Sequence, residues 1–128
     1  VKGAVDVLWV GLGGFVGSSL RFLISGWVHR LPGTSNFPHG TLVVNVVGCL
    51  VLGFIGGWAE QRQTLSPATR LFFMIGVLGG FTTFSTFAYE TLAMAQGSDL
   101  ARAFANIVLQ VVLGLGAAWL GFAAARGI

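Results

Sequence analysis

The sequence predicts an all-α integral membrane protein of four transmembrane helices, from three observations: an apolar excess, long uncharged runs, and charges gathered between those runs. Of 128 residues, 55% are hydrophobic and 9% charged, against roughly a quarter charged in an ordinary globular domain. A folded chain this small leaves about 40% of its unfolded surface exposed, so a soluble monomer could not hide so much apolar area. A mean hydropathy of +0.84 agrees. The seven Lys and Arg and four Asp and Glu residues fall mainly in short clusters.

Crossing about 30 Å of hydrocarbon takes about 20 helical residues. Four segments qualify, at residues 5–27, 40–59, 71–95 and 103–124, within a single transmembrane domain covering 1–128. The first has little of a signal peptide: it keeps running to about Val28 and holds Arg21. HRLPGTSNFPH follows, with two prolines, a Pro-Gly pair and both histidines, and reads as a loop. In EQRQTLSPATR, Ser66 before Pro67 is a helix-start pair, a cap residue and then proline in the first turn. QGSDL is a tight connection.

Four crossings put both termini on one side. Lys2, Arg62, Arg70 and Arg126 then lie on the terminal side, and Arg30 and Arg102 on the other. Four against two favours cytoplasmic termini only weakly, so small a bias allows an oligomer of opposed subunits. The 20 glycines include Gly13 and Gly17, Gly53 and Gly57, and Gly76 and Gly80, each pair at the spacing that lets membrane helices approach closely. Gly11 and Gly14 extend the ladder in the first span. A bundle of four is narrow for a pore, which argues for a dimer conducting through or beside its interface.

The third span is anomalous. VLGGFTTFSTFAYE joins Gly79 and Gly80, then adds Thr82, Thr83, Ser85 and Thr86 at a position expected at mid-membrane. Paired glycines and β-branched residues weaken a helix. Two half-helices meeting near residues 79–83 are therefore expected, rather than one helix whose hydroxyls bond back to its own carbonyls. In hydrocarbon, freed N–H and C=O groups must meet protein, ion or water. Such carbonyls suit a cation, and hydroxyls would cap the second half-helix.

Asn45 shares a helix face with Thr41 and Gly48. Its amide is costly in lipid unless bonded, so it either fastens helices or offers an N–H to an anion. Asn106 and Gln110 repeat the spacing in the fourth span, with Gly114 continuing the stripe, which implies a shared polar track. Arg21 either snorkels to the interface or acts as a vestibule cation for anions, with Glu90 a candidate partner. Phe84 and Phe87 share a face after the break, as core filler or as rings whose electropositive edges lie against an anion.

No enzyme constellation is present. His29 and His39 have no cysteine or paired carboxylates near them for a metal, and GLGGFVG lacks the strand a dinucleotide site requires. The net charge of +3 comes from scattered basic residues, which excludes nucleic acid as a partner. Cys49 forms no internal disulfide and reads as a small hydrophobe. The competing function is a small proton-coupled exporter, whose chemistry wants a deep carboxylate. Asp6, Glu60, Glu90 and Asp99 all lie near predicted span ends.

On these residues the chain resembles the Fluc (CrcB) fluoride channels of bacteria over nearly its whole length. GGFVGSSLRF, with Arg21 at the family's arginine, is similar to their first helix, and HGTLVVNVVGCLVLGF, with Asn45 at the pore asparagine, to their second. GGFTTFSTFAYE, the most specific stretch, carries their helix break and phenylalanines. The resemblance implies a dual-topology antiparallel homodimer in the bacterial inner membrane. It implies two fluoride pores along the subunit interface and passive export of cytoplasmic fluoride that entered as HF. A fluoride/proton antiporter or a small multidrug exporter is then the alternative.

The resemblance also implies a sodium ion at the dimer centre, held by backbone carbonyls of Gly79 and Thr82. It makes Phe84 and Phe87 the fluoride-contacting rings, Asn45 a donor, and Thr41 and Ser85 further polar lining. Asn106 matches a family asparagine. At Gln110 many relatives have a serine, so a longer amide stands where a small hydroxyl is expected, and its role in the fluoride path is left open.

Overall fold

The apolar runs fold into four helical spans, Lys2–His29, His39–Arg62, Pro67–Gln96 and Leu100–Arg126, each long enough to cross a membrane. The computed structural model describes residues 2–33 and 36–127, and no strand occurs among them. In chain order the elements are α1 (Lys2–His29), α2 (His39–Arg62), α3 (residues 67–81), α4 (Phe84–Gln96) and α5 (Leu100–Arg126). Each span runs a few residues past the bounds expected from sequence. Hydropathy falls where polar residues begin, whereas backbone hydrogen bonding continues to the cap. The loop expected after the first span is turn-like where described, and Thr34 and Ser35 lie outside the described residues.

Local signals set the other ends. Ser66 Oγ accepts from Thr69 N at 3.2 Å, with Pro67 opening α3, as the Ser-Pro pair predicts. Asp99 Oδ1 accepts from Arg102 N at 3.2 Å and caps α5. Arg126 Nη1 donates to Glu60 Oε2 at 3.1 Å, joining the ends of α2 and α5 at one end of the bundle.

Two close helix pairs build the bundle, α1 on α3 and α2 on α5. Glycine makes both possible. A Cβ on Gly13 would fall on Phe72 O and one on Gly17 on Val77 O; Gly53 meets Ala118 O and Gly121 meets Leu50 O in the same way. Most of α3, Leu71–Leu78, is π-helical, a feature no sequence signal announced. A π turn brings residues five apart into line, as an α turn does four. Phe72 and Val77 on α3 therefore match the register of Gly13 and Gly17 on α1.

The third span is broken, more narrowly than expected. Only Thr82 (φ −87°, ψ 157°) and Thr83 (φ −151°, ψ 115°) are extended, and the chain re-enters helix at Phe84. The glycines thought to open the helix stay in it, with Gly79 at φ −63°, ψ −37°. Their contribution is clearance, since a Cβ on Gly80 would lie 2.9 Å from Gly14 O. The β-branched threonines prefer extended backbone, and they, rather than the glycines, make the break.

Candidate anion path at the helix break

Two extended residues disconnect four helical hydrogen bonds, and the reassignment of those groups builds the site. Thr83 N, which a continuous helix would aim at Gly79 O, donates to Asn45 Oδ1 at 2.7 Å. Thr83 O accepts from Asn45 Nδ2 at 3.0 Å, so one amide pairs with both the C=O and the N–H of Thr83. Thr86 N turns from Thr82 O to Thr83 Oγ1 at 3.2 Å, capping α4. Gly80 O accepts from Arg21 Nε at 3.0 Å. Gly79 O and Thr82 O thereby lose the donors of a continuous helix.

The α2 face carrying Thr41, Asn45 and Gly48 is the one turned on the break. At Gly48 a Cβ would collide with the Thr82 methyl. The second N–H of Asn45 Nδ2 goes to Gln110 Oε1 on α5 at 3.0 Å. Gln110 Nε2 is buried with no hydrogen-bond partner.

Two cavities flank Thr83. One, of about 280 Å³, is bounded by Asn45, Gly48, Cys49, Thr82, Thr83, Phe84, Phe87 and Gln110, with Leu52 and Val111 closing it. Its rings stand edge to face, with centroids 5.4 Å apart. Phe87 is 9% exposed, whereas Phe84 is 77% exposed on this single chain. The other, of about 360 Å³, is bounded by Arg21, Ser25, His29, Thr41, Thr83, Thr86 and Glu90, among others. Thr41 Oγ1 donates to Glu90 Oε1 there.

Because Thr83 lines both, the extended break is the wall between a polar vestibule and an aromatic chamber. The vestibule holds a guanidinium, and α4 begins beside the wall with the positive end of its dipole. The chamber offers apolar walls, two aromatic rings and the side chains of Asn45 and Gln110. Cation, donors and ring edges together suit an anion shedding its water.

The family described as CrcB-like protein, Camphor Resistance (CrcB), matches residues 8–122. The chain belongs to the CrcB family. Among its curated relatives, the fluoride-specific ion channel FluC of Sulfurovum sp. is 49% identical over 115 residues, covering 90% of this chain and 89% of that one. The protein of the same name from Methylobacillus flagellatus is 44% identical over 117 residues, covering 91% of both. That of Geotalea daltonii is 40% identical over 122 residues, covering 95% of this chain and 98% of its own. All the residues that line the two cavities fall within the CrcB match.

The structure gathers Asn45, Gln110, Phe84 and Phe87 around one cavity and Arg21 with Thr41 around the other. Asn106 stands apart. It is fully buried, and its Nδ2 donates at 2.9 Å to Thr91 Oγ1, which donates at 2.8 Å to Phe87 O; the chain of bonds holds α4 against α5 behind the ring. Its Oδ1 has no partner, and it lines neither cavity. Ser85 is exposed, 3.4 Å from Thr83 Oγ1, and lines neither cavity either.

Three expectations are refined. Arg21 lines the vestibule and braces the carbonyl of Gly80, while Glu90, its candidate partner, takes the Thr41 hydroxyl instead. Cys49 is part of the chamber wall rather than simple packing. Glu90, six residues from the end of α4 and so near a span end as expected, nevertheless lines the vestibule. Thr83, Thr86 and Glu90, foreseen only as hydroxyls of the break and as a candidate partner of Arg21, also line the vestibule. Register ties the three together, since Thr83, Thr86 and Glu90 follow one another at helical steps of three and four.

Proposed function

We propose that this CrcB-family protein is a passive, fluoride-selective channel that lets fluoride leave the cell, a transporter rather than an enzyme. The observation that carries this reading is the path around Thr83, where a vestibule with a guanidinium adjoins a chamber lined by aromatic rings and amide side chains. The fluoride-specific channels among its relatives supply the choice of anion. Fluoride is small and tightly hydrated, so replacing its water takes close N–H and O–H donors. Ring edges favour anions and refuse cations. HF enters as a weak acid and dissociates inside, and the anion then leaves down its gradient.

Vesicles holding the purified protein and loaded with fluoride are expected to empty when a potassium ionophore clamps the voltage, while chloride-loaded vesicles hold their content. Glu90 in the vestibule favours one competing reading, a proton-coupled exporter. Efflux that starts only with an imposed proton gradient would establish that reading and end the channel one.

The working unit is an antiparallel homodimer in the bacterial inner membrane. Phe84, so exposed on one chain, supports a second copy beside the chamber, and the four-to-two balance of basic residues supports either orientation. Gly79 O and Thr82 O, deprived of helical donors by Asn45 and Thr83, suit a hard cation such as sodium. Sodium there would neutralise carbonyl dipoles and fix the two breaks together. Cysteine tags at one terminus should be labelled from both membrane faces in comparable amounts. Labelling from one face alone would rule out the antiparallel pair.

A further inference from the structure

We propose that the cleft between the end of α2 and the start of α3 binds one phospholipid of the ethanolamine type, its phosphate on Arg70 and its ammonium group toward Glu60. The site shares no residue with the vestibule or the chamber and goes beyond the channel reading. Two cavities meet there. The first, of about 530 Å³, is bounded by Gly56, Glu60 and Gln63 on one side and by Arg70 of α3 on the other. The second, of about 240 Å³, is bounded by Ile55, Trp58 and Phe73, and both are bordered by Leu65 and Met74. A polar space thus shares an edge with an apolar one. The two helices stand apart here, and a Cβ on Gly56 would meet nothing within 4 Å.

Depth and charge select the occupant. Because α2 ends at Arg62 and α3 opens at Pro67, Glu60, Gln63 and Arg70 lie at the level of lipid head groups, with Trp58 where tryptophan marks the boundary between membrane and water. Ile55 and Phe73 lie about one turn deeper. Arg126 is held by Glu60 and Arg102 by Asp99, but no ion pair among the described residues engages Arg70. An exposed guanidinium grips a phosphate through paired N–H groups, and at this depth lipid supplies the phosphates. A second copy of the chain has few anions to offer instead. Its Asp99, Glu60 and Glu90 are bonded to Arg102, Arg126 and Thr41, and its Asp6 stands at the terminal end, which an antiparallel pair carries to the opposite membrane face. A phospholipid brings its phosphate together with an acyl chain for the wall of Ile55, Phe73 and Met74. Glu60 on the polar wall disfavours a purely anionic head group and suits an ammonium.

The test is the thermal transition of the detergent-purified protein, titrated with phosphatidylethanolamine, phosphatidylcholine, phosphatidylglycerol, or glycerophosphoethanolamine as the head group without chains. Phosphatidylethanolamine is expected to raise the midpoint by about 5 °C, the other two phospholipids by about 2 °C or less, and the bare head group not at all at the same concentration. Arg70→Gln should abolish the rise, and Glu60→Ala should make ethanolamine no better than choline. Equal rises from all three phospholipids, an equal rise from the bare head group, or a full rise retained in Arg70→Gln would overturn the site. A midpoint that climbs with protein concentration and ignores added lipid would put a second copy in the cleft, and overturn it too. If Arg70→Gln does not fold, Glu60→Ala decides: a preference for ethanolamine over choline that survives that change would overturn the assignment.

Discussion

Fluoride efflux through Asn45→Asp is expected to drop to the level of protein-free vesicles, while the protein still elutes as a dimer. The substitution keeps one oxygen for Thr83 N but sets a second where Nδ2 now donates to Thr83 O and Gln110 Oε1, both at 3.0 Å. Three acceptors then face one another without a proton. Gln110 can turn its amide to answer one of them. Thr83 O has no such recourse, because its peptide is fixed between α3 and α4. Each unmet buried acceptor costs about 1–3 kcal/mol, and a carboxylate beside the chamber also repels an anion. Cys49→Ala, on the same wall with no bond to the break, should conduct nearly as the parent does. Normal flux through an Asn45→Asp dimer would remove Asn45 from the path, and loss of the dimer would make it helix glue alone.

What was legible in the sequence depended on how local its cause was. The four spans follow from hydropathy alone, and Ser66 with Pro67 marks a helix start without help from the rest of the fold. The break was legible in position and misread in cause. Propensity ranks glycine as the weaker helix former, yet Gly80 is held helical by its contact with Gly14, which only the packed pair reveals. The polar face of Thr41, Asn45 and Gly48 could be seen from its spacing. Its partners could not, because Thr83 and Gln110 lie 38 and 65 residues from Asn45 along the chain. A separation of 49 residues likewise hid the bond between Thr41 and Glu90, and with it the entry of a carboxylate into the vestibule. The π-helical turns of α3 answer to the glycine spacing of α1, so no pattern within their own eight residues encodes them.

That match of register leads to the second large effect, far from any polar group. Gly17→Ala is expected to lower the thermal transition of the protein in detergent sharply and to remove most fluoride flux. The new methyl would land on Val77 O, inside any real contact distance and against backbone that cannot rotate away, so α1 and α3 must separate. Overpacking of this kind costs about 1–3 kcal/mol in a core able to adjust, and here the obstacle is a carbonyl on a helix. Separation also carries Arg21, one turn further along α1, away from Gly80 O, whose bond at 3.0 Å braces the end of α3 where the chain leaves helix. Packing and site are thus damaged by one methyl group. Gly11→Ala is the matched control: a Cβ there meets nothing within 4 Å, and alanine favours helix over glycine by about 1 kcal/mol. That variant should melt no lower than the parent and conduct normally. A Gly17→Ala protein as stable and as conductive as Gly11→Ala would show that α1 and α3 do not meet backbone to backbone in the membrane.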